Sequence, residues 1–179
     1  MAKTSRLLSV LACAAAIASG ARAQAFSVLH TFQYFPHGAS PYAPLLRDAN
    51  GNLYGTANGG GENNAGVVFK IDTAGKLTVL HTFTGGADGG NPCAGVVADS
   101  AGNLYGTTYQ GGVAGAGVYH SGAGVVYKID TSGKFTVLYT FTGATDGSDP
   151  IAGVTLDSAG NLYGTTYYGG TEGDGGCTR

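Results

Sequence analysis

The chain is 179 residues long with 33 glycines and only 11% charged residues, which excludes a charged disordered tail and a helix-rich coil. Glycine does not recur at every third position and proline numbers only 5, so a collagen helix is excluded too. A net charge of -2 with nine Lys and Arg leaves no basic footprint for nucleic acid, and one domain of ordinary size is expected.

Lys3 and Arg6 precede a run from Leu7 to Ala18 that is apolar apart from Ser9, and Ala21-Arg22-Ala23 follows. Positive residues, an apolar stretch and then small residues are the order of a secretory signal peptide. The run falls short of the roughly 20 residues a spanning helix needs. Residues 1–23 are therefore expected to be removed on export, leaving residues 24–179 as a secreted or surface-displayed domain with no membrane span. Cleavage removes three basic residues and no acid, which leaves six basic against eleven acidic and a net charge of -5. Val10-Leu11-Ala12-Cys13 loosely resembles a lipidation box, but Leu11 is unusual there. Of the remaining cysteines, Cys93 and Cys177 stand 84 positions apart. An oxidising compartment permits a bridge between them, although nothing in their spacing requires one.

The mature chain is organised by an internal repeat, whose period decides the architecture. GNLYGT occurs at Gly51–Thr56, Gly102–Thr107 and Gly160–Thr165, at offsets of 51 and 58. The same offsets carry VLHTF at Val28–Phe32 onto VLHTF at Val79–Phe83 and VLYTF at Val137–Phe141. Val79–Gly112 and Val137–Gly170 share 25 of 34 residues. Copies run over about residues 28–78, 79–136 and 137–179, the last truncated. The second carries seven extra residues between Gly112 and Gly124.

Each copy holds four short runs rich in Val, Ile, Thr, Tyr and Phe, separated by Gly, Asp, Asn and Pro, as in strands and turns. In the second copy they fall near Ala94–Asp99, Asn103–Tyr109, Gly124–Asp130 and Lys134–Phe141. The connectors DANGN, DTAGK, DSAGN and DTSGK put Asp first and Gly fourth, which suits a tight turn with a side-chain acceptor. Strict alternation would set Leu77, Val79, His81 and Phe83 on one face of the last strand and Lys76, Thr78, Leu80 and Thr82 on the other. Both faces are apolar enough to want covering. The expected fold is all-β, a β-propeller-like array of four-stranded antiparallel blades; a β-helix is the rival, but its rungs are usually shorter. The expected strands are one near Ser27–Phe32, four in each of two copies and two in the third. That is under three blades, fewer than the four to eight that close a propeller. Either a longer array continues it or other chains close it, and open blade edges make self-association an expectation.

The blocks GNLYGTTY-x-GG, GVV-[FY]-KID, TVL-[HY]-TF, FTGG-x-DG and P-x-AG resemble the GloVer tandem repeat of exported bacterial proteins. Members are often described as choice-of-anchor proteins because they carry different C-terminal sorting segments. The resemblance runs from Phe26 to about Gly170 and implies a secreted or surface-displayed, propeller-like repeat protein with no established chemistry. No such sorting segment is recognisable in this chain.

Residues present in every copy are expected to build the blade, whereas a single site must break the symmetry. Asp48, Asp99 and Asp157, and Asp72 and Asp130, read as turn acceptors. His30 and His81 align with Tyr139, so that position reads as packing or hydrogen bonding. Tyr54, Tyr105 and Tyr163 read as packing aromatics with a polar tip. A calcium loop beginning at Asp48 lacks its middle oxygen donor in the other copies, where Ala101 and Ala159 stand, and no Glu closes it. Asp88, Asp146 and Asp149 are better oxygen donors, though Asp-Gly is also ordinary turn chemistry. The symmetry breakers include His37, Glu62, Asn63, Asn64, Tyr119, His120, Asp149, Glu172 and Asp174. No metal site, cofactor motif or catalytic motif is recognisable. The candidate binding residues are Glu62, Asn63, Asn64, Tyr119 and His120, all in the glycine-rich connectors, with an extracellular glycan or surface protein as the expected partner. The alternative is a secreted polysaccharide hydrolase or lyase using Glu62 and Glu172, the only two glutamates. A third reading is a remnant that does not fold alone.

Overall fold

The computed structural model describes residues 26–117, 121–170 and 176–178. The expected signal peptide, Cys13 included, lies outside them. Among the described residues there are eleven strands and no helix long and apolar enough to cross a membrane. Sheet 1 contains β1 (Leu46–Arg47), β2 (Leu53–Ala57), β3 (Val67–Ile71) and β4 (Leu77–Thr82). Sheet 2 contains β5 (Val97–Ala98), β6 (Leu104–Thr108), β7 (Val125–Ile129) and β8 (Phe135–Thr140). Sheet 3 contains β9 (Thr155–Leu156), β10 (Leu162–Thr166) and β11 (Gly176–Thr178). Every sheet is an antiparallel meander in chain order. The all-β array of four-stranded blades is thus present, each strand a residue or more shorter at its ends than the sequence pattern.

Glycine and Asp make the hairpins. The Asp99 amide donates to the Asn103 carbonyl, and Gly102 closes the turn by donating to the Asp99 carbonyl at φ +87°, a conformation a Cβ would strain. The glycine inside GNLYGT has a different duty. Gly55 pairs with Phe69 and Gly106 with Tyr127 across the ladder. The aromatic ring of β3 or β7 folds over the bare Cα, so that a Cβ at Gly106 would meet the Tyr127 ring at 2.6 Å.

The sheets pack face to face. Between sheets 1 and 2, Val68, Phe83 and Leu80 meet Val96, Leu104, Val125, Tyr127 and Ile129. The Phe83 ring stands edge-on to Tyr127 at 5.3 Å, and His81 stacks flat on Phe135 at 3.7 Å. Side-chain hydroxyls stitch the same seam: Thr56 Oγ1 donates to the Ala94 carbonyl at 2.8 Å, and Thr107 Oγ1 to the Ala152 carbonyl at 3.0 Å across the next seam. The short first strands β5 and β9 lie against each other, so the sheets fan from a common side.

Three sequence expectations are corrected. Strict alternation in the fourth strand fails because a β-bulge shifts the register between Val68 and Phe69, where β3 meets β4. Leu80 is the extra residue, so Leu77 and Val79 face one side while His81 and Phe83 face the other. Second, residues 27–32 form no strand. They lie on the outer face of sheet 1, where Phe32 packs against Phe69 at 5.0 Å. Third, sheet 3 gains a third strand: Gly176-Cys177-Thr178 pairs with β10 in the register that Val125-Val126-Tyr127 uses on β6, because antiparallel pairing needs backbone groups rather than the usual side chains.

The Tyr127 hydroxyl is buried without a partner, and burial alone pushes its titration far upward. Sheet 1 has Phe69 at that position. Tyr127→Phe is therefore expected to stabilise the fold by about 1 kcal/mol, read from the urea midpoint. Thr107→Val is expected to cost about 1 kcal/mol by orphaning the Ala152 carbonyl, whereas Thr165→Val, at the exposed equivalent position, should change stability by less than ~0.5 kcal/mol.

Candidate binding surface

The repeated acids are occupied in the turns they build. In each copy the first Asp accepts backbone N–H groups on Oδ1, and its Oδ2 accepts from Asn and Tyr side chains. Asp99 takes the Asn103 amide at 2.7 Å and the Tyr105 hydroxyl at 2.9 Å; Asp157 takes Asn161 and Tyr163 at the same distances, and Asp48 takes Asn52 and Tyr54. These bonds, the Asn side chain first, favour the carboxylate and hold Asp99 and Asp157 down to about 2. Lys70 and Lys128 lie 5.6 Å over the Tyr54 and Tyr105 rings. Tyr54, Tyr105 and Tyr163 thus cap the turn with their hydroxyls, and Tyr54 and Tyr105 carry a cation on the ring.

The fourth-strand His or Tyr faces an Asp of the following loop. His81 Nε2 lies 3.1 Å from Asp88, and the Tyr139 hydroxyl donates to Asp146 at 3.0 Å. Burial pushes the His81 imidazole below its usual range despite the attraction of Asp88. In the first copy, His37 stands where the others have Asp88 and Asp146, and it lies 5.2 Å from His30. His30 Nε2 and His37 Nδ1 are buried without partners.

The connectors between second and third strands all leave the same end of the sheets. Glu62, Asn63 and Asn64 lie exposed in the β2–β3 connector. Asn64 has φ +54°, and its Oδ1 accepts the Gly60 amide at 3.0 Å, so it shapes the loop. Tyr119 and His120, like Glu172 and Asp174, lie outside the described residues. Sequence reasoning missed two exposed rings at this end, Tyr34 and Tyr167. The Tyr34 carbonyl accepts the Gly61 amide of the neighbouring connector, and Tyr167 meets Tyr168 edge to face at 4.5 Å. The pair Tyr167-Tyr168, where the second copy reads Tyr109-Gln110, was the available signal.

A groove of about 540 Å³ opens between sheets 2 and 3, walled by Val126, Leu138, Tyr139 and Phe141 on one side and by Val154 and Leu162 on the other. Asp149, proposed from sequence as an oxygen donor, lies fully buried beside it at φ +59°. Its counterpart Asn91, at φ +54°, donates from its side chain to the Asn58 carbonyl across the first seam. A carboxylate has no proton to donate there, Asp149 Oδ2 has no partner, and burial raises its pKa. The folded state therefore holds that proton more tightly than the unfolded chain, so stability falls as pH rises from the ordinary Asp range through the raised folded value. Asp149→Asn is expected to add on the order of 1–3 kcal/mol at pH 7, with the gain shrinking as pH falls through the raised folded value towards the ordinary Asp range near about 4, and levelling off below it, in paired urea titrations.

Comparison with known proteins yields one family. No curated protein is significantly similar. Among solved structures, one assigned as a gluconolactonase is similar over 74% of this chain and 45% of its own length, with 16% identity and a TM-score of 0.42. The chain thus spans less than half of that protein. The family model of the Gloeobacter/Verrucomicrobia repeat matches residues 17–177. With three matched copies in its sequence, this chain belongs to the Gloeobacter/Verrucomicrobia repeat family.

Proposed function

We propose that this repeat module works outside the cytoplasm as a non-catalytic binding protein, displaying the connector end of its sheets to a glycan. The order of residues 1–23 supports export. One observation carries the binding reading: the repeated polar groups are engaged in turns and seams, whereas Tyr34, Glu62 and Asn63, which break the repeat, stand exposed on connectors of one end together with the exposed ring of Tyr167. Flat rings with a polar tip, beside amide and carboxylate groups, offer a sugar both an apolar face and hydrogen-bond partners. Loops on a rigid scaffold are where such contacts concentrate.

The hydrolase reading needs two facing carboxylates about 5 to 10 Å apart. Glu62 stands exposed on a glycine-rich loop, a poor support for that geometry. A glycan array combined with a polysaccharide hydrolysis screen separates the readings. Binding should weaken roughly tenfold in Tyr34→Ala or Tyr167→Ala, about 1.4 kcal/mol each, and should persist in Glu62→Gln. Release of reducing ends that disappears in Glu62→Gln or Glu172→Gln would overturn it.

A further inference from the structure

The first copy lacks a hydrogen bond that the other two keep. In the second copy His81 Nε2 lies 3.1 Å from Asp88 Oδ2, and in the third the Tyr139 hydroxyl donates to Asp146 Oδ2 at 3.0 Å. A loop hydroxyl holds the other oxygen of each carboxylate: Thr84 Oγ1 donates to Asp88, and Thr142 Oγ1 to Asp146. The repeat offsets place His30, Gln33 and His37 at these three positions in the first copy. The carboxylate and the hydroxyl that grips it are thus replaced together, and the pair becomes two imidazoles.

The two rings stand 5.2 Å apart, tilted by 58°. His30 Nε2, whose counterpart in His81 meets the carboxylate, is buried without a partner, and so is His37 Nδ1. One N–H could join two neutral imidazoles, but no such bond is made. Buried nitrogens left this way cost stability, and a pair of imidazole lone pairs is what a borderline-soft divalent ion takes. The spacing suits one: two imidazoles on a tetrahedral ion, with bonds of about 2.0–2.1 Å, hold their ring centres about 5 Å apart. Both rings are also fixed in place. His30 is edge-on to Phe32 at 5.2 Å, and Phe32 packs on Phe69 of β3 at 5.0 Å. His37 ends a turn tied to sheet 1 on both sides, where the Tyr34 carbonyl accepts the Gly61 amide and Ala39 exchanges two backbone bonds with Gly59. Between them Gly38, at φ +89°, lies so close to the sheet that a Cβ would meet Ala57 at 2.7 Å. Ligands held by packing and backbone bonds need little ordering when an ion arrives.

We propose that His30 Nε2 and His37 Nδ1 bind one divalent ion of the zinc type, with water in its other positions. Among the described residues no third His, Cys, Asp or Glu completes a cluster, so the affinity is modest and the ion exchanges with solvent. Its effect is a clip. It ties residues 26–32, which no strand pairing holds, to the turn at residues 34–37. In the other copies the His81–Asp88 and Tyr139–Asp146 hydrogen bonds make the same tie without metal.

Zinc chloride titrated into the purified chain in a calorimeter should report one site. Imidazole nitrogen-15 spectra of the unaltered chain should show zinc shifting Nε2 of His30 and Nδ1 of His37 while the His81 signals stay in place. His30→Gln or His37→Gln should weaken zinc binding roughly tenfold or more. Gln33→Thr combined with His37→Asp rebuilds the hydrogen-bonded pair of the second copy, so this variant should keep the parent's circular dichroism and lose the zinc site. Zinc affinity unchanged in that variant, or no zinc-dependent shift at either ring nitrogen of the unaltered chain, would overturn the proposal.

Discussion

A four-stranded sheet with two apolar faces cannot hide either by itself, and everything else in this protein follows from that. Val68 and Phe83 leave water only because Tyr127 and Val125 stand opposite them on the next sheet. Burial of a large apolar side chain stabilises by about 1.5–3 kcal/mol, so a seam with several such residues outweighs the cross-seam hydrogen bonds of Thr56 and Thr107 at about 1 kcal/mol each. The bulge at Leu80 belongs to the same requirement. Without it His81 and Phe83 would point back onto their own side, and the seam would lose its aromatic half.

Copies that share a backbone but differ in residues separate what the frame demands from what it tolerates. His81 with Asp88 and Tyr139 with Asp146 do the same work, a ring donor held against a loop carboxylate. His30 with His37 keeps the positions but loses the hydrogen bond. Asn91 satisfies its seam with an amide proton, and Asp149 in its place leaves a buried oxygen without a partner. Such departures mark where the repeat is under local strain. They differ in kind from Glu62 and Asn63, the repeat-breaking residues that stand exposed in the β2–β3 connector.

The strands and turns were legible because each is decided within a few residues. Asp99, Gly102 and Asn103 settle one hairpin between them, and the β-branched runs settle the strands either side. The candidate surface was legible only in part. Glu62, Asn63 and Asn64 announced themselves by breaking the repeat, but that Asn64 turns its side chain onto Gly60 depends on a loop conformation no local pattern states. Tyr34 and Tyr167 were overlooked because exposure depends on what packs above a residue, and that is a property of neighbouring loops.

By itself, then, the order of residues determined the repeat, its period, the four-strand unit and the turn chemistry, since all of these rest on contacts between near neighbours in the chain. Only the tertiary structure decided which face each fourth-strand residue takes past the bulge, that Gly55 and Gly106 lie beneath an aromatic ring, and that residues 26–32 lie on the outer face of sheet 1 with no strand pairing among the described residues. Those outcomes depend on surfaces brought together from residues about fifty positions apart, where the free energy comes from excluding water between sheets and is carried by no segment alone.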